Sequence, residues 1–553
     1  MKEFSCSKKI FSKKLYIGMT VIAGSLLQIG CGDKENDSIK NNLLVVNNPE
    51  TKCSNLEKIN IASNFFELST NGAIITSVSL IKEDKENNLP EFCKVQGSIK
   101  AVNSSDPDIQ FQVNLPIQWN YKAVQLGGGG FNGQLVTGTK GAYSGISNWP
   151  ANTKVPLAMN YVTFGSDGGT TSDGKFGLNA QALANYSGES VKRTHDAAIF
   201  LIKTFYDASP HRMYHLGGSK GGHESLVAAQ RYGKDYDGVI AYYPANQNQA
   251  MVLSWYRMWL SAYGNDGKGA LTKDKQELLQ SNVLNVCDAL DGIKDGIVSN
   301  KSACESKFNI NDFRCKNEEN STDNCFTSAQ IETLTTAATP LQLPFTLANG
   351  VQNIGPYPIF LGGGVTGILF DSNGLDGRNT SYYYFIEPVV KYFIKQDPNA
   401  TLNEFNYLDW KSRIEYLSNL LDATNPNLDE FQSRGGKLLL IQGSTDMLVA
   451  PEITSNYYKE VSKRYGANTR NFFRYYFQPG FGHGGGAFAL QWDSLSFLDQ
   501  WVETGNAQEN PVVIDGNPNN EARARPLCEY PQFAKYKGQG NINNAENFNC
   551  VDK

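Results

Sequence analysis

Histidine is scarce in this chain: five residues among 553, at positions 195, 211, 215, 223 and 483. Chemistry that needs an imidazole base therefore has few places to sit. There is no C-x-x-C pair and no cluster of cysteine with histidine, which excludes the ordinary zinc spacings. Beyond Gly32 no uncharged apolar run is long enough to cross a bilayer. Lys and Arg number 50 against 55 Asp and Glu, for a formal net charge of -5, and no basic stripe is visible. Nucleic acid is not an expected partner. No internal repeat is visible, and the length suits more than one domain.

What is present begins with Gly217-Gly218-Ser219-Lys220-Gly221, a G-x-S-x-G sequence. Glycine on both sides of a serine permits a sharp strand-to-helix turn that holds the hydroxyl exposed. Residues 213–216 can form the strand and Glu224 to Tyr232 the helix. The alternative is a glycine-rich turn that happens to contain serine. Lys220 does not make a Ser-Lys dyad, because that mechanism uses S-x-x-K spacing.

A serine hydroxyl needs a base, and the α/β-hydrolase chain order is serine, acid, histidine. Only His483 lies far downstream of Ser219. It sits in Gly480-Phe481-Gly482-His483-Gly484-Gly485-Gly486, after an aromatic run that reads as a strand. A histidine in such a loop has no packing reason to be there. Between the two, Lys437 to Gln442 (KLLLIQ) reads as a buried parallel strand. It leads to Asp446, the expected acid; the competing role for this residue is a helix cap before Pro451. In this triad Asp446 orients His483, and His483 moves the proton of Ser219.

The oxyanion needs donors. The backbone N–H of Lys220 is one. Gly129 and Gly130, within Gly127 to Gly130 after an apolar segment, are expected to supply the other. Gly128, Gly130 and Gly133 also match G-x-G-x-x-G. No helical pattern follows and no acid stands about twenty positions on, so a dinucleotide site is rejected.

The chain opens with Lys8, Lys9, Lys13 and Lys14, then an uncharged stretch from Leu15 to Gly32. This reads as a signal peptide over residues 1–31, ending at Ile29-Gly30-Cys31. Cys31 looks like a lipobox cysteine, with Gln28 where leucine is usual; cleavage to a soluble exported protein is the alternative. Residues 32–52 read as a polar tether. Periplasmic, outer-membrane or secreted localisation follows. Export implies an oxidising compartment. Apart from Cys6 and Cys31, eight cysteines remain, and eight allow 105 pairings. The economical choice is sequential: Cys53–Cys93, Cys287–Cys304, Cys315–Cys325 and Cys528–Cys550.

Residues 287–297 alternate aspartate and glycine in a tight loop. Hard oxygens on a turning backbone suit a structural Ca2+ ion. The expected ligands are the carboxylates of Asp288, Asp291 and Asp295 and the carbonyls of Ile293 and Ile297. The spacing is not that of an EF-hand, and an ordinary Asp-Gly turn pair is the alternative. The loop falls in a long segment, residues 246–431, between the nucleophile and acid strands. That segment holds Trp255, Trp259, Tyr382-Tyr383-Tyr384-Phe385 and Tyr392-Phe393. The aromatics fit a lid over a planar ester, and equally the packing of the lid's own core.

Taken together, Gly217 to Ala245, the CDALDGIKDGI loop, GSTDMLVAP, PGFGHGGG, Arg193-Thr194-His195 and Gly127 to Gly130 resemble the tannase/feruloyl esterase family of α/β hydrolases. That family includes the mono(2-hydroxyethyl) terephthalate hydrolases. The resemblance spans nearly all of the mature chain. It implies an α/β fold in which residues 53–245 and 432–553 form the catalytic domain and 246–431 a lid carrying a structural calcium. One departure stands out. The family's cysteines just before the nucleophile and just after the catalytic histidine, joined as a disulfide, are here Gly218 and Gly484. Both are absent together, as a bonded pair should be. Lys220 and His223 also differ from the usual threonine and arginine.

The resemblance implies an exported serine carboxylesterase acting on small aromatic esters. Hydroxycinnamate esters of the feruloyl or chlorogenate type come first, then gallate esters, then terephthalate monoesters. The reading from another class is a non-catalytic surface lipoprotein that binds glycans or phenolics; an intact Ser219, Asp446 and His483 counts against it.

Overall fold

A computed structural model of the chain describes residues 43–139, 149–150, 153–317, 324–372, 376–403, 405–520 and 523–552. The signal segment and Cys31 lie outside the described residues. Among these residues no helix is long and apolar enough to cross a membrane.

Ten strands form one central sheet. In chain order they are β1 (Asn60–Ile61), β2 (Ala73–Ile81), β3 (Phe92–Ile99), β4 (Ile109–Pro116), β5 (Lys122–Leu126), β6 (Val162–Ser166), β7 (Arg212–Gly218), β8 (Gly238–Tyr242), β9 (Lys437–Gly443) and β10 (Phe473–Gln478). Across the sheet the order is β10-β9-β8-β7-β5-β6-β4-β3-β2-β1. The pairs from β10 to β6 are parallel. Those from β6 to β1 are antiparallel. The expected α/β class is what is found.

The parallel strands read as apolar runs because both faces are covered. Leu438 and Leu440 pack on one face with Val239 and Ala241. Leu439 and Ile441 pack on the other with Ile240 and Tyr242. The alternation follows the two-residue repeat of a strand. The first face is covered by α1 (Ser190–Tyr206) and α2 (Lys220–Arg231), the second by α3 (Ser494–Thr504), whose Leu495, Leu498 and Trp501 are buried.

Between β8 and β9 the described residues add no strand to this sheet. They build a largely helical mass whose apolar core includes Trp255, Tyr382, Ile386, Phe393 and Leu417 and is shared with Phe131, Phe176, Tyr186 and Met447 from outside the segment.

The expected tether is corrected at its C-terminal end. Residues 44–45 pair with Gln118 and Trp119, Val46 is buried, and a helix runs over Pro49–Asn55. The short apolar run Leu43-Leu44-Val45-Val46 docks on the sheet domain in spite of its asparagine-rich surroundings. The four sequential disulfides are all formed, with Cα–Cα separations of 5.6, 5.0, 4.8 and 5.5 Å.

Candidate active site

The three expected triad residues stand at the C-terminal ends of parallel strands in one half of the sheet, with β8 between the first and the other two. Ser219 follows β7, Asp446 follows β9 and His483 follows β10. Open α/β sheets place ligand sites at this edge. Ser219 has φ 58° and ψ -120°, a conformation that costs a non-glycine residue about 1–3 kcal/mol. The turn exists because its neighbours lack side chains. A Cβ on Gly217 would lie 2.3 Å from the Gly221 carbonyl oxygen, and one on Gly222 would lie 2.5 Å from that of Tyr242.

Asp446 is fully buried. Its Oδ2 lies 2.9 Å from His483 Nδ1, and its Oδ1 accepts the backbone N–H groups of Leu448 (2.8 Å) and Val449 (2.9 Å). A buried carboxylate must have its lone pairs satisfied, and here it does. As an acceptor it assigns the proton of the shared hydrogen bond to Nδ1, so Nε2 is left as the basic nitrogen. The turn after β8 touches both Ser219 and His483. Ala245 N–H donates to the Ser219 carbonyl at 3.0 Å, while the Tyr243 ring sits 4.6 Å from that of His483. Tyr243 has φ 31°, outside the common range for a non-glycine residue.

The other four histidines are placed elsewhere. His195 pairs with Asp196 on α1, His215 is buried in β7 against Ser225, and His211 lies in the turn before β7. His223 is buried in α2, where its Nε2 lies 2.6 Å from the Leu421 carbonyl.

Gly127 to Gly130 lies against the nucleophile helix. Glu224 Oε2 accepts the Gly128 N–H at 2.8 Å, and Oε1 accepts the Asn132 amide at 2.7 Å. The Gly128 amide is thereby committed, which leaves Gly129 and Gly130 as the loop's candidate oxyanion donors. The Tyr186 hydroxyl donates to the Gly130 carbonyl at 3.1 Å. Among the described residues no helix begins directly after the loop. The sequence reading missed Glu224, Asn132, Tyr186 and Tyr243. Asn132 lies inside the rejected G-x-G-x-x-G match and Glu224 and Tyr243 inside the Gly217–Ala245 stretch, but only Glu224, one turn beyond the elbow, carries a local signal: an acid beside the apolar run Leu226-Val227-Ala228-Ala229.

The segment between β8 and β9 grips the acid loop. Trp255 Nε1 donates to the Leu448 carbonyl at 3.1 Å, and the Tyr382 hydroxyl donates to that of Met447 at 2.5 Å. These two aromatics are buried and structural. Tyr384 is 48% exposed.

In the acidic loop, Asp288 accepts the amides of Asp295 and Gly296. Asp295 Oδ2 is bound by Arg525 at 2.6 Å. Burial, helped by repulsion from Asp295 and Asp288, pushes the Asp291 carboxyl up to about 6. That shortage of positive charge suits a hard cation. The side-chain placement suits it less. Among the described residues no group of three or more His, Cys, Asp or Glu is gathered to hold a metal.

Gly484 has φ 84°, a backbone state that favours glycine. A cysteine there would be strained in this loop.

Fold and site together define an α/β hydrolase. The family model described as tannase and feruloyl esterase matches residues 93–551, and the chain belongs to that family. An uncharacterized esterase of Agrobacterium fabrum is 35% identical over 522 residues, covering 90% of this chain and 93% of the relative. The mono(2-hydroxyethyl) terephthalate hydrolase of Piscinibacter sakaiensis is 29% identical, over 84% of this chain and 85% of the relative. The crystal structure of feruloyl esterase B from Aspergillus oryzae superposes with a TM-score of 0.74 at 21% identity, covering 91% of this chain and 99% of the other. The protein is a carboxylic ester hydrolase.

Proposed function

We propose an exported serine carboxylesterase that hydrolyses esters of aromatic acids through an acyl-enzyme. The observation that carries the proposal is the 2.9 Å contact between His483 Nδ1 and the buried Asp446, set beside a strained Ser219. Asp446 holds the imidazole so that Nε2 is the base. Nε2 takes the Ser219 hydroxyl proton as Oγ attacks the ester carbonyl. The oxyanion is met by the Lys220 amide and by Gly129 or Gly130. Collapse expels the alcohol, which takes the proton from His483. Water, deprotonated by His483, then releases the acid and restores Ser219.

An aromatic acyl group is favoured because relatives named as feruloyl esterases and as a terephthalate monoester hydrolase span most of the chain. Hydroxycinnamate esters come first, with gallate and terephthalate monoesters as alternatives. The segment 246–431 would act as the lid. A structural Ca2+ ion would be held by Asp288, Asp291 and the carbonyls of Ile293 and Ile297, with Asp295 shared with Arg525; it supplies charge to the loop and takes no part in the reaction. The basic N-terminus and four disulfides support export, with Cys31 as the lipid anchor.

Acid release from methyl ferulate, chlorogenate, methyl gallate and a terephthalate monoester tests the reading, with Ser219→Ala as control. Turnover of one ester, lost in the variant, supports it; turnover retained in the variant refutes the triad.

A further inference from the structure

Lys220, next to Ser219, is buried with its ammonium group. Nζ donates to the Tyr186 carbonyl and to His223 Nδ1 (3.0 Å), and it lies 3.8 Å from the centre of the Tyr186 ring. The tautomer of His223 is determined by its partners. The Leu421 carbonyl can only accept, so Nε2 carries the hydrogen and Nδ1 offers its lone pair to Lys220. His223 is thus neutral, and burial and the adjacent ammonium both hold its pKa well below the ordinary value. Two of the three ammonium donors are taken by these acceptors, and the third direction is covered by the face of Tyr186.

Tyr186 links this cation to the oxyanion loop, since its hydroxyl binds the Gly130 carbonyl. The nucleophile helix therefore holds the glycine loop at two points: at Gly128 through Glu224, and at Gly130 through Lys220 and Tyr186. We infer that Lys220 is a positioning residue for ester hydrolysis, its charged form holding Tyr186 so that Gly130 keeps the oxyanion loop in register with Ser219. The inference rests on Ser219 and the Gly129–Gly130 amides acting as proposed above.

The charge is needed for a simple reason. A neutral amine that kept both donated bonds would point a lone pair at the electron-rich ring face. The groups that bear on Nζ are Tyr186, His223, Glu224 and Arg231; Asp422 acts on Arg231, and Tyr384 acts on Tyr186. Burial brings the ammonium down to about 8, with Glu224 opposing and Arg231 adding to the effect. Activity should then fall as pH rises through about 8. Stability moves the other way. The unfolded lysine holds its proton up to about 10.4, so between the two values the unfolded chain binds more protons and folding is favoured as pH rises.

The test is kcat and KM from pH 6 to 10 for the wild type, Lys220→Met and Tyr186→Phe, with fluorophosphonate labelling of Ser219. At pH 7 each variant should lose on the order of 10-fold in kcat, a fraction of what a deleted oxyanion donor costs, with KM within about twofold. The limb near pH 8 should vanish in both. Tyr186→Phe keeps the ring and guards against misfolding of the methionine variant. If Ser219 is labelled but both variants keep the wild-type kcat and the limb, the positioning role is wrong and the triad stands. If Ser219 is not labelled, both readings fall.

Discussion

Gly127 and Gly221 press backbone against backbone. A Cβ on Gly127 would lie 2.6 Å from the Gly221 Cα, and one on Gly221 would lie 2.7 Å from the Gly128 carbonyl oxygen. The glycine loop and the first turn of the helix after Ser219 are therefore one packed unit. Gly221→Ala should separate them, lowering kcat by on the order of 10²-fold, as losing an oxyanion donor does. A variant with wild-type kcat would mean that the loop is not the oxyanion site.

The backbone of Ser219 stores strain that glycine would not feel. Ser219→Gly should abolish hydrolysis and raise stability by about 1 kcal/mol in urea unfolding. Ser219→Ala should abolish hydrolysis without that gain, since its Cβ keeps the strain. Equal stability of the two variants would refute the strain account.

Asp446→Asn should leave the fold in place and cut kcat by about 10⁴-fold with little change in KM, because the amide can present its N–H₂ to Nδ1 and reverse the tautomer of His483. Steady-state kinetics on the best ester decides this. A loss below tenfold would mean that His483 is oriented by something else.

Calcium should act on stability alone. The acidic loop lies at the Cys287–Cys304 disulfide, and Arg523 and Arg525 bind it to the C-terminal strands. Chelation should lower the melting temperature by a few degrees, with calcium at 100 times its Kd worth about 2.7 kcal/mol. The initial rate at 25 °C should hold. An unmoved melting temperature would assign the loop's charge balance to Arg525 alone.

Much of the candidate site was legible because each part carries a local rule. The elbow at 217–221 needs small residues around a serine, KLLLIQ can only be a strand covered on both faces, and four of the five histidines fall at or before the helix that follows the serine. The aromatics of residues 246–431 were not legible in this way. Burial and ring packing look alike in sequence, and Trp255 and Tyr382 proved to hold the carbonyls of Leu448 and Met447. The tether was misread over residues 43–52 for a related reason. Four apolar residues in polar surroundings signal a strand only when Gln118 and Trp119 are there to pair with them.

The sequence by itself marked the strands that lead to Ser219, Asp446 and His483, the order of these candidate residues, and the acidic loop, since strand periodicity, turn chemistry and ligand type are properties of neighbouring residues. Tertiary structure alone decided that Gly128 is spent on Glu224, that the Tyr243 ring lies tilted against that of His483, and that Lys220, His223 and Tyr186 share one buried charge. Those partners come from chain segments up to 240 residues apart, as with Tyr243 and His483. Only the folded backbone brings them within hydrogen-bond or ring-contact reach.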